Sequence, residues 1–366
     1  MENESRMEDQ EYQEREGLRR WVRPVLFSSI VVIVALLIDS YMNRGADRNG
    51  EVVVYSALDS LFSEPILRDY EQQTGVHVRP IFDAESTKTV GLTERLISES
   101  AAGNPRCDLF WNNEILNTLR LEREGVLAAY LSPTHASYPA EYRSPEKTWH
   151  GFASRARVLI VNTDLVPVDE RPTSILDLAD PKWKGRVGIA KPLFGTTASH
   201  AACLFALWGE EWAKAFFRSL KENDVSIESG NKQVALRVAS GQLAFGLTDT
   251  DDAMIELEAG RPVAIVYPDQ QEGGVGTLFI PNTLALIKGS PNAEQAKRLV
   301  DFLLSAEIEK RLAAGASAQI PLNPEVKIPV RVETPATIRP MKIDFRAAAD
   351  QWETAAQFLK EEFTAD

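Results

Sequence analysis

Short β-branched runs alternate with longer helical segments along most of this chain. Val52–Ser56 and Val76–Phe82 are such runs, and helical segments follow them, through Gln73 and over Val90–Ala102. Cys107–Trp111 continues the pattern as a third buried strand. Strands and helices of these lengths in alternation are typical of a parallel sheet with helices on both faces. The sequence therefore predicts an α/β fold.

A second block with the same alternation follows residue 150. Its predicted strands are Arg157–Asn162, Arg186–Ala190, Ala244–Leu247, Val263–Tyr267 and Thr283–Ile287. Its predicted helices are Phe194–Trp208, Glu211–Glu222, Ala253–Ala259, Asn292–Ala314 and Phe345–Phe363. A chain of 366 residues is long enough for two such α/β units.

Composition narrows the class of partner and of chemistry. The net charge of −13 argues against nucleic acid as a partner. Cys107 and Cys203 form no C-x-x-C motif and lie among apolar residues, so buried thiols are expected, and a disulfide between them stays open. The four histidines are scattered, and the sequence contains neither H-E-x-x-H nor G-x-S-x-G. We therefore expect a protein that is not an enzyme and holds no resident cofactor.

The N-terminus predicts a membrane anchor. Residues 1–20 are charged and predict a disordered cytoplasmic tail. Residues 21–42 are long and apolar enough for a single transmembrane helix, with Arg19, Arg20 and Arg23 on its cytoplasmic side. Residues 43–50 then form a polar linker, and the bulk of the chain lies in the periplasm or outside the cell. A cleaved signal peptide is the alternative.

An acidic stretch, Thr248–Asp252, follows the predicted strand Ala244–Leu247 and opens a helix. Helix capping is one interpretation, because Thr and Asp oxygens accept hydrogen bonds from the first N–H groups of a helix. Capping needs only one such residue, however, and crowded carboxylates repel unless a cation, an amine or an arginine neutralises them. The other interpretation is a ligand site at the carboxyl end of a strand, where open α/β sheets have their crevices.

Other strand ends carry small polar residues or cations that would converge on the same crevice. Helix N-termini bind anions, and hydroxyl groups add hydrogen-bond donors. Arg155 and Arg157 alternate on one strand and so share a face, which is either a ligand-facing or a solvated surface. The candidate ligand-binding residues are Ser56, Asp59, Ser86, Thr87, Asn112, Asn113, Arg155, Arg157, Gly195, Thr196, Thr197, Thr248, Asp249, Thr250 and Asp251.

A combination of motifs in this order resembles the bacterial ferric-iron-binding periplasmic proteins, the solute-binding subunits of ABC importers. The motifs are Val53–Ser56, Asp108–Trp111, Ser154–Val158, Pro181–Arg186 and Ile320–Pro324. The resemblance implies a two-lobed clamshell of the type 2 periplasmic-binding-protein fold, which closes over its ligand by hinge motion. It implies a first lobe of 51–150 with 260–305, and a second of 151–259 with 306–366. The implied partners are an ABC permease and ATPase and a small ligand.

The sequence departs from this family at the metal ligands. By register, the histidine of the iron binders falls on Asp59, their glutamate near Asn113 or Glu114, and their tyrosine pair on Thr250 and Asp251. A hard trivalent cation remains possible on Asp59, Asp249 and Asp251, since it prefers oxygen ligands.

The second candidate ligand is a phosphonate, a phosphate ester or another small zwitterion. Its anionic group would bind the hydroxyls and helix N-termini at Ser86, Thr87, Gly195, Thr196 and Thr197. Its amine would bind Asp249 and Asp251. The competing functions are an importer subunit, a ligand sensor that signals through the anchor, and an extracytoplasmic enzyme with the aspartates as acid and base.

Overall fold

The computed structural model describes residues 50–83 and 89–363, in which one compact unit begins at Glu51. Across these ranges every helix is too short or too polar to cross a bilayer. The predicted tail 1–20, the predicted span 21–42 and nearly all of the linker lie outside the described residues, and so do Ser86 and Thr87.

The described strands form one mixed sheet in the order β2-β1-β3-β10-β5-β8-β6-β7, with β4 and β9 paired to its two long members. Their bounds are β1 Glu51–Ser56, β2 His77–Phe82, β3 Leu109–Asn112, β4 Leu127–Ala128, β5 His150–Asn162, β6 Val187–Ala190, β7 Ser226–Glu228, β8 Phe245–Asp249, β9 Val263–Val266 and β10 Phe279–Ile287.

The helices cover the sheet and complete the α/β fold. Their bounds are α1 Ser60–Thr74, α2 Val90–Ala101, α3 Leu116–Arg123, α4 Gly195–Trp208, α5 Glu210–Glu222, α6 Asn231–Ala239, α7 Thr250–Glu258, α8 Ala293–Leu303, α9 Ala306–Ala314, α10 Phe345–Asp350 and α11 Trp352–Phe363.

The prediction of a parallel sheet is wrong at the centre of the sheet. The outer strands do pair in parallel: β1 pairs with β2 and β3 on one side, and β6 pairs with β7 and β8 on the other. Between them, β10 pairs antiparallel with both β3 and β5, and β5 pairs antiparallel with β8. Two long strands, β5 and β10, therefore join the two parallel halves.

The core packs on both faces of this sheet. One cluster contains Val52, Leu109 and Leu284 together with Leu299 of α8 and Ile308 of α9. A larger cluster runs from β1 and β3 through α4 and α5 to the C-terminal helices. Cys107 and Cys203 are buried free thiols, as the apolar surroundings predict. The lobe boundaries stay a prediction. The predicted second lobe includes α9, yet Ile308 and Leu312 of α9 pack in the first of these clusters, with strands assigned to the first lobe.

Candidate functional site

A cavity of about 350 Å³ opens where the parallel strands end and the helices α1, α4, α6 and α7 begin. Strand ends of this kind place backbone N–H groups and short polar side chains around one space. The N-cap residues of α1 and α7, Asp59 and Asp249, make no side-chain capping hydrogen bond. Capping is therefore not what holds the acidic residue Asp249 at the start of α7.

Asp249 is instead held by the buried guanidinium of Arg157, which is fully shielded from solvent. Nη1 of Arg157 lies 2.7 Å from Oδ1 of Asp249. The other carboxylate oxygen, Oδ2, accepts hydrogen bonds from Thr196 at 2.6 Å and from Asn231 at 3.0 Å. Thr197 in turn accepts from Arg157 and donates to Asn231. Both oxygens of Asp249 thus have partners within the protein.

Asp251 is paired in the same way with Arg155, at 3.2 Å between Nη1 and Oδ2. Both side chains are about 4% exposed, so the solvated-face interpretation of the arginines is wrong. Burial alone would lower the pKa of Arg155, but the surrounding aspartates, Asp251 first and then Asp249, raise it above its usual value. The guanidinium therefore stays charged at the cavity wall.

Three carboxylates of the acidic stretch lie close enough together to share a cation. Asp249, Asp251 and Asp252 each offer an oxygen within 4.8 Å of the others. Asp252 replaces Asp59 in this group, although Asp59 lines the same cavity. Metal binding by Asp59, Asp249 and Asp251 therefore stays a prediction. The structure places Asp252, rather than Asp59, next to Asp249 and Asp251.

A second part of the lining comes from the ends of β1 and β3. Asn113 lines the cavity there, and its buried Oδ1 has no hydrogen-bond partner within the described residues. Nε of Arg155 is also unpartnered among them. Glu114 points elsewhere, because its carboxylate accepts from the first N–H groups of α3 and from Ser199 Oγ at 2.8 Å. Burial raises the pKa of Glu114, and these hydrogen bonds oppose the shift.

Cationic groups line a third part of the cavity, beside the N-termini of α4 and α6. Lys191 follows β6, and Lys232 lies in the first turn of α6. Both lysines line the cavity together with Gly195 and Thr196. The cavity lining therefore includes basic side chains as well as the aspartates.

The structure divides the predicted site residues into two groups. The residues that line the cavity are Ser56, Asp59, Asn113, Arg155, Gly195, Thr196, Asp249 and Asp251. The buried residues that lie behind this lining are Asn112, Arg157, Thr197, Thr248 and Thr250. Arg157 of the second group holds two members of the first in place, since its Nη1 donates to Thr196 Oγ1 and to Asp249 Oδ1.

Sequence reasoning missed several lining residues, among them Asp83, Lys191, Asn231 and Lys232. Asn231 is the first residue of α6 and follows Gly230, shortly after the end of β7. A small polar residue between a strand and a helix is the same signal that predicted the other site residues. Lys191 and Lys232 carry no local signal, because a lysine at a strand end or in the first turn of a helix is ordinarily a solvated surface residue.

Comparison with known proteins defines the class. The fold is that of the periplasmic binding proteins: iron-bound HitA from Pseudomonas aeruginosa superposes with a TM-score of 0.75 at 24% identity, over 84% of this chain and 99% of that one. AfuA from Actinobacillus pleuropneumoniae, solved with fructose-6-phosphate, superposes with a TM-score of 0.76 at 23% identity, over 87% and 99%. The predicted type of α/β fold is thereby confirmed.

The family follows from sequence. Residues 112–345 match the model of the bacterial extracellular solute-binding proteins, and the chain belongs to this family. It is 30% identical over 291 residues to the iron uptake protein A1 of a Synechocystis strain, covering 75% of this chain and 78% of that protein. The resemblance to ferric-iron-binding periplasmic proteins is confirmed, and the members are binding proteins that work with ABC permease and ATPase subunits.

Proposed function

We propose that this solute-binding protein captures a small organic ligand that carries a phosphate or phosphonate group and an amine or hydroxyl group. The observation that carries this proposal is the pairing of the two central aspartates with buried arginines, Asp249 with Arg157 and Asp251 with Arg155. The pairing leaves the carboxylate cluster close to charge balance rather than strongly anionic.

Charge balance disfavours a trivalent cation as the ligand. A hard cation needs oxygen ligands whose negative charge it neutralises, and two guanidinium groups in direct contact with those ligands repel it. Asp249 already accepts three hydrogen bonds, from Arg157, Thr196 and Asn231, which leaves it little lone-pair capacity for a metal ion. An organic ligand does not face this repulsion and does not need to coordinate Asp249.

The cavity wall offers complementary places for both ends of such a ligand. An anionic group fits between Lys191, Lys232 and the N-terminus of α4, where backbone N–H groups and positive charge coincide. An amine or hydroxyl fits against the unpartnered Oδ1 of Asn113 and the carboxylate of Asp252. The further contribution of Ser86 and Thr87 stays a prediction. AfuA, which has the same fold and was solved with fructose-6-phosphate, supports the proposal.

A thermal-shift series tests this proposal with 2-aminoethylphosphonate, fructose 6-phosphate and ferric citrate. A ligand at a hundred times its dissociation constant stabilises a protein by about 2.7 kcal/mol, which is readily measured. We expect a shift with a phosphonate or phosphate ester, lost in Lys191→Gln/Lys232→Gln and kept in the control Lys342→Gln, at an exposed position outside the cavity. A shift with ferric citrate alone would contradict the proposal.

Ferric iron or another hard cation is the second candidate, favoured by the oxygens of Asp249, Asp251 and Asp252 within 4.8 Å of one another. The iron-binding relatives support it as well. If iron is the ligand, Asp252→Asn abolishes the ferric citrate shift while the lysine double variant keeps it. The lysine double variant therefore separates the two candidates, since it loses the shift with a phosphonate or phosphate ester and keeps the shift with ferric citrate.

We further propose that the protein serves an ABC importer and remains attached to the membrane through residues 21–42. The anchored receptor would deliver its ligand to a permease in the same membrane. Genes for a permease and an ATPase beside the gene for this chain would support the importer role over a sensor role. A gene neighbourhood with a signalling protein in their place would favour the sensor.

A further inference from the structure

A β-bulge interrupts β5 just before this strand passes from one half of the sheet to the other. Pro281 of β10 pairs with Ser154 and Asn282 pairs with Phe152, so Ala153 is the extra residue and has no partner in the ladder. Its φ of 40° lies in the left-handed region that alanine rarely adopts. Four residues later, at Arg157, β5 pairs with β8 of the second half. A bulge bends a strand locally, and this one lies where the two halves meet.

Side chains hold both backbone groups of Ala153 in place of the ladder. Its N–H donates to Oε1 of Glu309 at 2.7 Å, and the same carboxylate accepts from Leu322 and Asn323. Glu309 lies on α9, which packs with the first half of the sheet. The carbonyl oxygen of Ala153 accepts from Nδ2 of Asn282, which is fully buried.

Asn282 connects this bulge to the ligand cavity. Its Oδ1 accepts from Nη2 of Arg155 at 3.2 Å, and Nη1 of the same guanidinium pairs with Asp251 of α7. The chain of contacts runs from Glu309 through Ala153, Asn282 and Arg155 to Asp251. Its first member belongs to one half of the molecule and its last to the cavity wall of the other half.

From this geometry we infer that Asn282 is a positioning residue that couples the cavity to the bend between the two halves. A change at the Arg155–Asp251 pair alters the hydrogen bond to Asn282 Oδ1, and Asn282 transmits it to the backbone at Ala153. A contact that stabilises one angle between the two halves raises the population of the conformer with that angle. The apparent affinity for a ligand that binds the closed conformer depends on how large the population of that conformer is. The inference holds for either candidate ligand.

Electron paramagnetic distance measurements on the ligand-free full chain test it without assuming a ligand. Spin labels at Gln72 and Gln242 lie at exposed positions in the two halves, and both native thiols are buried. We expect Asn282→Leu to lower the fraction of molecules at the inter-label distance of the structure by about threefold or more. Gln319→Leu is the matched control, because it removes another partner of Asn282 Nδ2 and leaves the bond to Arg155 in place.

A double-mutant cycle separates coupling from loss of packing. Asp251→Asn changes the far end of the chain of contacts, so it should shift the distance distribution in the parent protein and shift it less than half as much in the Asn282→Leu background. If Asn282→Leu does not fold, Asn282→Asp keeps an acceptor for Arg155 and removes the donors. An unchanged distribution, equal effects of Asn282→Leu and Gln319→Leu, or an equal Asp251→Asn shift in both backgrounds would overturn the inference.

Discussion

Arg157 and Asp249 illustrate how single residues build the floor of the cavity. Arg157 is among the largest fully buried side chains, and its guanidinium bonds Asp249, Thr196, Thr197 and Asn231. A buried ion pair is stabilising only when its remaining donors and acceptors are satisfied, which this network largely achieves. Arg157 therefore positions two residues that line the cavity, Asp249 and Thr196.

Replacing Arg157 should cost much of the stability of the fold. We expect Arg157→Met to lower the free energy of unfolding by about 3–5 kcal/mol, because it leaves Asp249 charged and buried without its partner. Urea denaturation measures the loss. Arg157→Met combined with Asp249→Asn should recover about 1 kcal/mol or more, since the uncompensated charge is removed. A cost below about 1 kcal/mol for Arg157→Met would show that the pair contributes little.

His200 is a second single residue that leads to a prediction, here that the stability of the fold depends on pH. Burial and the nearby Arg157 lower its pKa to about 3, so the folded state keeps it neutral. The unfolded chain takes up a proton near pH 6.5, and stability therefore falls as the pH drops from 6.5 toward 3. We expect His200→Leu to remove about 2 kcal/mol of the loss between pH 7 and pH 5. Parallel pH curves for both proteins would contradict this expectation.

At the residue scale, sequence alone located much of the candidate site and misread some roles. Strand ends rich in small polar residues pointed to the cavity because parallel strands end on one edge of a sheet. Alternation placed Arg155 and Arg157 on one face, but only tertiary structure decides that Arg155 lines the cavity while Arg157 lies beneath it. The sequence allowed Asp249 to be a helix cap, but in the structure its side chain pairs with the buried guanidinium of Arg157 and makes no capping hydrogen bond.

At the scale of elements, the C-terminal helices α10 and α11 connect distant parts of the fold. Asp350 pairs with Arg123 of α3 at 2.6 Å, and Arg346 pairs with Glu122 at 2.8 Å. Phe358 of α11 packs against Phe205 of α4, with their ring centroids 6.0 Å apart. The helices thereby join α3 beside the first half of the sheet to α4 and α5 beside the second.

Loss of this contact should be measurable. We expect Phe358→Ala to lower the free energy of unfolding by about 3–5 kcal/mol, since it leaves a cavity against α4 and removes the stacking of Arg218 and Lys214 on the ring. Gln357→Ala, at the neighbouring exposed position, should change it by less than about 0.5 kcal/mol. Chemical denaturation of the two variants side by side compares them. Equal effects would mean that α11 is only loosely attached.

The predicted elements agree with the structure where the pattern is local and fail where neighbours decide. The predicted strand 283–287 is the second part of β10, whose first part contains Pro281 at the bulge. The predicted strand 157–162 is likewise half of β5, because the charged and small residues before it do not read as a strand. The predicted helix 292–314 breaks into α8 and α9 at Leu304 and Ser305.

At the scale of the whole molecule, the proposed anchor makes the clearest prediction. If residues 21–42 span the membrane, the full chain should resist carbonate extraction, and mass spectrometry should find the intact N-terminus. Val32→Lys combined with Leu36→Lys should release it, since each charge at the centre of a span costs about 2.5–3.5 kcal/mol. A mature chain that begins after residue 42 would instead identify a cleaved signal peptide.

The sequence by itself determined the α/β class, the alternation of strands with helices and the family, because these depend on local periodicity and on motifs in a fixed order. Tertiary structure alone decided how the two parallel halves join through β5 and β10, and which polar residues face the cavity. It also decided the pairing of Asp249 and Asp251 with the arginines. Such pairings join residues that are far apart in the chain, and burial fixes their charge and geometry only once the sheet has assembled.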